Sequence, residues 1–185
     1  MALLTLDEAK AQLNITGTAE DAELQAYVNA VTPVIERFVG PVEPREVTEA
    51  HDGGVRPVLV LRQTPVLSLT SVASVLTGGT APPVEALVLV DPDTGEVRRR
   101  DGGYLRGLLQ VTYQAGRTEV SPTINLAARI LVQHLWRTQR PTRGGGLAGG
   151  GDDYSVSEPI PGFGYAIPNR VLELLEPYRL PPGVA

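Results

Sequence analysis

Apolar positions recur at helical spacing in the first 40 residues, which predicts two helices. The first opens with Thr5 and Glu8, which fit a capping box because each side chain can satisfy the other's free backbone amide. The second carries apolar residues at the i, i+3, i+4, i+7 spacing of one buried face: Leu24, Tyr27, Val28, Val31, Ile35 and Phe38. Pro33 falls inside this second run, so a kink or a restart is expected there. Gly40-Pro41 ends the run.

The spacing of apolar residues changes between residues 45 and 116, where short β-branched runs are bounded by Gly, Pro and Asp. Strands are predicted over residues 55–61, 72–77, 84–90, 96–100 and 108–115. Turn sequences separate some of them, such as DPDTG at 91–95 and DGG at 101–103. Short strands with tight turns indicate an antiparallel sheet or a small sandwich, not βαβ units.

A third helix is predicted from Ser121, which can cap the first turn, and Pro122, which fits that turn. Its apolar residues cover more than one face, so burial on several sides is expected. Residues 144–151, GGGLAGGG, predict a flexible loop. Pro168 can start a short final helix, while the rest of the C-terminal segment reads as an extended arm.

The fold class predicted from these elements is α+β, a small helical bundle of about four helices with an inserted antiparallel β region and an extended C-terminal arm. The chain of 185 residues suits a single domain. Its predicted parts are helical 1–40 and 121–140, the β-rich insert 45–116, the Gly-rich loop 144–151, and the C-terminal arm with its short helix at 152–185.

Composition excludes several classes of protein. Hydrophobic residues make up 42% and charged residues 20%, which allows a packed core and disfavours a disordered chain. The absence of cysteine excludes disulfides, thiol nucleophiles and cysteine-ligated metals. No run of about 18 apolar residues occurs, so no membrane span is predicted. The first residues lack the features of a signal peptide, and an intracellular protein is expected.

Residues that could perform catalysis have simpler interpretations. The chain has no G-x-S-x-G motif, and residues 144–151 lack the lysine of a phosphate-binding loop. His134 lies among apolar positions of the third predicted helix, which favours a structural role, and His51 lies in a turn-like HDGG sequence, which favours a solvated loop. Asp91 and Asp93 fit turn chemistry better than a cation site. No catalytic, cofactor or metal site is predicted, and the protein is not expected to be an enzyme.

Charge is distributed unevenly along the chain. Residues 1–50 carry nine acids and three bases, whereas residues 98–143 carry nine arginines and two acids, within a net charge of -5. This asymmetry indicates either self-complementation or a charged partner. The candidate contact residues in the basic region are Arg98, Arg99, Arg100, Arg137, Arg140 and Arg143.

The alternatives for these residues stay open at the level of sequence. The arginines can contact nucleic acid phosphates, complement a helix dipole, or lie on a solvated or subunit surface. The C-terminal aromatics can either bind a partner or cover the protein's own core: Tyr154, Phe163, Tyr165 and Tyr178. An accessory protein that contacts DNA through the Arg98–Arg143 basic region is therefore one functional hypothesis.

Three phrases, taken in order, resemble the head–tail connector proteins of long-tailed bacteriophages, also called adaptor or head-completion proteins. The first is TLDEAKAQLNI followed by the longer helix that carries Ile35-Glu36-Arg37-Phe38. The second is VTYQAGRTEVSPTINLAARILVQHLWRTQR, which matches the family's strand, Pro-led turn and Ala-rich helix through Tyr113, Ala115, Gly116, Pro122, Ala127, Ala128 and Trp136. The third is VLELLEPYR at 171–179, which is similar to the closing helix.

The resemblance implies a structural virion protein at the head–tail interface, or neck, made in the host cytoplasm. Such a protein forms a ring of about twelve copies, whose heterologous contacts close only at the right rotation. It implies the portal protein and a stopper or tail-completion protein as partners, and DNA that passes through the channel without sequence-specific recognition. It implies no cofactor, no metal and no membrane. Acidic residues 1–50 and basic residues 98–143 are then expected to meet across subunits.

Overall fold

The computed structural model describes residues 2–139 and 167–180. Its described part contains the helices α1 (Leu6–Leu13), α2 (Asp21–Val39), α3 (Pro122–Gln139) and α4 (Asn169–Leu175). Its strands are β1 (Arg45–Arg56), β2 (Val58–Val60), β3 (Val66–Ser74), β4 (Leu87–Asp91), β5 (Glu96–Arg99) and β6 (Leu105–Ala115). Strand pairing is antiparallel, so the α+β class predicted from sequence is confirmed.

The chain forms two compact units. The helical unit comprises Met1–Phe38 and Val120–Arg179, and the β unit comprises Val39–Glu119 and Leu180–Ala185. The β unit is therefore inserted, along the sequence, between α2 and α3. The predicted Gly-rich loop at 144–151 lies outside the described residues, as does the predicted arm up to residue 166. No helix in the described ranges is both long and apolar enough to cross a membrane.

Helix α3 forms the core of the helical unit, as its multi-sided apolar pattern predicts. It packs against α1 and α4, and its Trp136 ring meets Tyr27 of α2 edge-on at 5.9 Å between centroids. Five side chains of α3 have a relative exposure of 0%: Ile124, Ala127, Ala128, Leu131 and Val132. Burial of this kind, at about 25 cal/mol per Å² of apolar surface, is the main stabilising term for the helices.

Helix α2 runs unbroken past Pro33, so of the kink or restart expected at that residue, the restart does not occur. Proline removes one backbone N–H donor, which leaves the carbonyl of Asn29 without its helical partner. Both Pro33 and Asn29 are exposed, so water can satisfy that carbonyl. The apolar face of α2 is intact across the proline, because Val31 and Ile35 are both buried.

The β unit contains two three-stranded sheets, with strand orders β1-β6-β3 and β2-β5-β4. Both sheets contribute to one hydrophobic cluster of buried residues: Leu59, Leu61, Val66, Leu87, Val97, Leu105, Leu109, Val111, Tyr113 and Ala115. Strand β6 lies in the middle of its sheet and supplies half of the cluster. Its alternation of buried and exposed positions from Leu109 onward is that of a strand with one face in the core.

Three strands begin earlier than the sequence predicts, among them β6, which begins at Leu105 where residue 108 is predicted. Strand β1 begins at Arg45, where no strand is predicted, and the predicted strand 55–61 is divided between the end of β1 and β2. The sequence pattern did not reveal β1 because two of its inward positions are the polar residues Glu49 and His51. Strand β3 covers 66–74 where 72–77 is predicted. Residues 84–86 of the predicted strand 84–90 form a 3-10 turn before β4.

The prediction that His51 lies in a solvated loop is also wrong. His51 is on β1 opposite Leu109, and it is 9% exposed. The HDGG sequence does not end the strand, because a register shift between Asp52 and Val55 accommodates the two glycines.

Candidate assembly interface

The candidate contact residues lie in both units where the structure describes them. Arg98 and Arg99 are on β5, and Arg100 follows that strand. Arg137 is in the last turn of α3, and Tyr178 is in the 3-10 turn after α4. The remaining candidates lie outside the described residues: Arg140, Arg143, Tyr154, Phe163 and Tyr165.

The three arginines after Val97 differ in how their charge is compensated. Arg98 donates from Nε to the carboxylate of Glu96, and Arg99 donates through two N–H groups to Asp101. Hydrogen bonds from Arg99 and the Gly103 backbone lower the pKa of Asp101 to about 2, which keeps that pair ionised. Arg100 donates to the backbone carbonyl of Glu85 at 3.0 Å. The cluster therefore carries far less net charge than its arginine count indicates, which weakens the case for phosphate contacts.

Tyr178 makes contacts within its own unit. Its hydroxyl lies 2.8 Å from Oγ of Ser121, and that Oγ also accepts the backbone N–H of Thr123 at the start of α3. This confirms the predicted cap at Ser121. The contact is the kind expected if the aromatic covers the protein's own core.

Arg137 is exposed in the last turn of α3, where a cation complements the helix dipole.

The first and second phrases of the resemblance contact each other through Glu8. Its carboxylate accepts from the Thr5 backbone N–H at 2.9 Å and from Arg129 at 2.6 Å. Asn125, one turn before Arg129, donates to the carbonyl of Leu3 at 2.8 Å. The Thr5 N–H, with Arg129 and Asn125, holds the pKa of Glu8 below its usual range. These bonds join the start of α1 to α3.

Replacing Glu8 by alanine removes the predicted and observed capping box together with the Arg129 ion pair. We expect the free energy of unfolding to fall by about 1–2 kcal/mol, the combined scale of a helix cap and a partly exposed ion pair. Chemical denaturation followed by Trp136 fluorescence measures the change. Asp7→Ala is the matched control, because Asp7 is exposed in the same helical turn. Equal losses in the two variants would contradict the role of Glu8.

A polar cluster that sequence reasoning missed lies in the β unit. Glu49 Oε1 accepts from the Tyr113 hydroxyl at 2.7 Å and from the Arg62 backbone N–H at 2.8 Å. His51 Nε2 lies 3.0 Å from the same oxygen, and the Tyr113 hydroxyl accepts from the Gln63 N–H at 3.0 Å. The signal available in sequence was the alternation of inward positions, with Glu49 and His51 two residues apart on one face.

The pKa values in this cluster indicate a fold-stabilising carboxylate. Burial raises the pKa of Glu49, but His51, the Arg62 N–H and the Tyr113 hydroxyl outweigh burial and lower it to about 2. Burial and the adjacent carboxylate raise the pKa of Tyr113 above its ordinary value. Glu49 is thus ionised with its Oε1 surrounded by donors, which disfavours work as a general base near neutral pH.

The turn at 91–95 has the structure its composition predicts. Asp91 Oδ1 accepts the Asp93 N–H at 3.0 Å, and the Gly95 N–H donates to the Asp91 carbonyl at 2.9 Å.

His134 is partly buried on α3, and burial lowers its pKa. Within 2–139 and 167–180, no group of three or more His, Asp or Glu side chains has the arrangement of a metal site.

Comparison with known proteins identifies what this fold is similar to. The family model described as "Head completion protein" matches residues 2–180. A chain from the structure titled "Virion of native gene transfer agent (GTA) particle" is 21% identical, with a TM-score of 0.65. The alignment covers 99% of this chain and 92% of that chain, which shows a shared fold. No curated protein sequence matches significantly. The chain belongs to the head completion protein family, a family of structural proteins of bacteriophage virions.

Proposed function

We propose that the protein is the adaptor between the portal and the tail or stopper of a tailed phage. In this proposal the whole chain, residues 1–185, acts as a single connector domain in the virion neck after synthesis in the host cytoplasm. A closed ring of about twelve copies, made by heterologous contacts, extends the DNA channel. DNA passes through it without sequence-specific recognition. The family match over residues 2–180 is the observation that carries the proposal.

Several residues that carry the resemblance to the head completion family have structural roles in this chain. These roles support the family assignment residue by residue. Glu8 of the first phrase contacts Arg129 of the second phrase. Tyr113 is fully buried against Glu49, and Ala127 and Ala128 are fully buried in α3. The phrases therefore contain residues that hold the fold together.

A structural role, with no reaction catalysed, agrees with the chemistry of the polar clusters. Glu8 caps a helix and pairs with a cation, and Glu49 accepts hydrogen bonds inside the β unit. Arg98 and Arg99 are neutralised by neighbouring carboxylates. These arrangements stabilise a scaffold, whereas a catalytic site needs a group whose proton or lone pair is available to a substrate.

Disruption of the gene tests this function. We expect filled heads and free tails to accumulate separately, because the part that joins them is missing. Purified protein added to such an extract is expected to restore tailed, infectious particles. Tailed particles formed at the normal yield without the protein would contradict the proposal. Normal joining with a defect in DNA packaging would favour the DNA-accessory alternative.

A further inference from the structure

The outer face of the sheet β2-β5-β4 carries valines where an antiparallel sheet usually carries polar residues. Leu59 and Val97 lie opposite each other and are buried in the hydrophobic cluster, so the residues on either side of them along the strands point to the other face. We call this surface the valine face, and its members are Val58, Val60, Val88, Val90, Glu96 and Arg98.

The valine face differs from the outer face of the other sheet. Val60 is 40% exposed and Val90 is 50% exposed, while the other two valines are half-buried. On the outer face of β1-β6-β3, in contrast, Thr48 lies opposite Thr112, and their hydroxyls are 3.0 Å apart. The polar face has the composition of a solvated surface, whereas exposed apolar residues that share one face often mark an interaction site.

Arg98 lies in the middle of the valine face, between Val58 on β2 and Val88 on β4. Its side chain is 52% exposed, and its Nε donates to Glu96. Among the residues that the structure describes, none accepts from the terminal N–H groups of Arg98. A partner that covers this arginine must therefore supply an acceptor, most favourably a carboxylate, between apolar side chains.

The chain itself contains such a sequence between α3 and α4. Val156, Glu158 and Ile160 alternate along the sequence, and alternate side chains of an extended chain share one face. That face would present an acid between two apolar side chains, which complements an arginine between two valines. Pro159 and Pro161 have no backbone N–H, so this sequence suits contact through side chains better than addition to a sheet edge.

The length of the connection allows this sequence to reach a second copy. Residues 140–166 separate α3 from Ile167, a span of 27 residues where packed helices usually need about 2–8. Glu158 precedes Ile167 by nine residues, so it can lie up to about 30 Å away from it. That reach exceeds the radius of gyration expected for a chain of this length, roughly 16 Å. Since the terminal N–H groups of Arg98 have no acceptor among the described residues of its own copy, we assign the acid to a neighbour.

We propose that residues 156–160 of one copy bind the valine face of a neighbouring copy. Glu158 accepts from the terminal N–H groups of Arg98, and Val156 and Ile160 cover the valines on either side. The inference rests on the proposed ring, and it names two surfaces that form the contact between subunits. Because the two surfaces differ, the contact is heterologous, which is the kind that generates a ring.

Photo-crosslinking in assembled virions tests the contact. The photoreactive residue p-benzoylphenylalanine replaces Val90, which is 50% exposed. We expect a covalent dimer of this protein, and mass spectrometry should map the attachment to residues 152–163 of the second copy. The same probe at Tyr104, which is 51% exposed just before β6, is the control and should not attach to those residues. Attachment from Val90 within the same copy, elsewhere in a second copy or to a different virion protein, or no attachment, would overturn the inference.

Charge reversal provides a second and independent readout. Glu158→Arg and Arg98→Glu should each lower incorporation into virions by about tenfold, and the two together should restore it. Arg106→Glu is the control, because Arg106 is an exposed arginine of the other sheet and its reversal should not rescue Glu158→Arg. Melting temperatures show whether each variant is folded. Failure of Arg98→Glu to rescue Glu158→Arg, or equal rescue by Arg106→Glu, would count against the contact.

The two proposals fail in different ways. If the wild-type protein is in the neck but the Val90 probe attaches elsewhere, only this inference fails. If the wild-type protein is absent from virions, the proposed function fails.

Discussion

Replacing Gly40 by alanine is expected to lower the free energy of unfolding of the β unit by about 3 kcal/mol or more, combining left-handed backbone strain with overpacking. The φ angle of Gly40 is +76°, which side-chain-bearing residues rarely adopt. A Cβ atom there would lie 1.8 Å from the carbonyl oxygen of Thr64, far inside contact distance. Thr64 is only 3% exposed, so its backbone has little room to move away.

A matched variant separates the clash from the strain. Gly78 has a φ of +77°, and a Cβ there would meet nothing within 4 Å. We expect Gly78→Ala to cost about 1 kcal/mol, the strain component alone. Urea denaturation followed by circular dichroism measures both variants. Similar losses in the two would contradict the assignment of Gly40 to a close backbone approach.

Glu49→Gln is expected to destabilise the protein by about 2 kcal/mol at neutral pH, because an ionised acceptor that holds buried donors is lost. The pKa of Glu49 is about 2 in the folded protein against 4.5 in the unfolded chain. A lowered pKa gives stability that is fully present above pH 4.5 and is lost as the pH falls toward 2. The difference between wild type and variant should therefore shrink through that range.

The control for this titration lies on the same strand. Glu46 is exposed on β1, so Glu46→Gln should change stability by less than about 0.5 kcal/mol, the usual range for a surface substitution. Denaturation midpoints of all three proteins between pH 2 and pH 7 provide the measurement. If the stability difference between wild type and Glu49→Gln stays constant from pH 2 to pH 7, the charge of Glu49 is not what stabilises the protein.

The helices were predictable from sequence because their caps and apolar faces are local features. Thr5 with Glu8 and Ser121 with Pro122 mark helix starts that the structure confirms. Of the kink or restart expected at Pro33, the restart does not occur, since packing of the buried face on both sides of the proline outweighs the loss of one hydrogen bond.

The β unit was predicted less completely, because its strands depend on partners far away in sequence. Most of β1 was missed since Glu49 and His51 occupy inward positions, where an alternating apolar pattern would have revealed it. Glu49 is tolerated there because Tyr113, 64 residues later, and the backbone N–H of Arg62 supply donors. A polar residue of this kind cannot be assigned to a core face until its partner is known.

The candidate interface shows the same division between local and distant information. The pairing of Arg98 with Glu96 and of Arg99 with Asp101 joins residues two apart, and that spacing was visible in the sequence. The contact of Tyr178 with Ser121 was not visible, because the two residues are 57 positions apart and only the fold brings them together.

Cryo-electron microscopy of the head–tail vertex in purified virions tests the proposed adaptor role most directly. The proposal predicts that density between the portal and the tail or stopper forms a closed ring into which the helical unit and the β unit both fit. A neck built entirely from other proteins, with this chain absent or located elsewhere in the particle, would contradict the account.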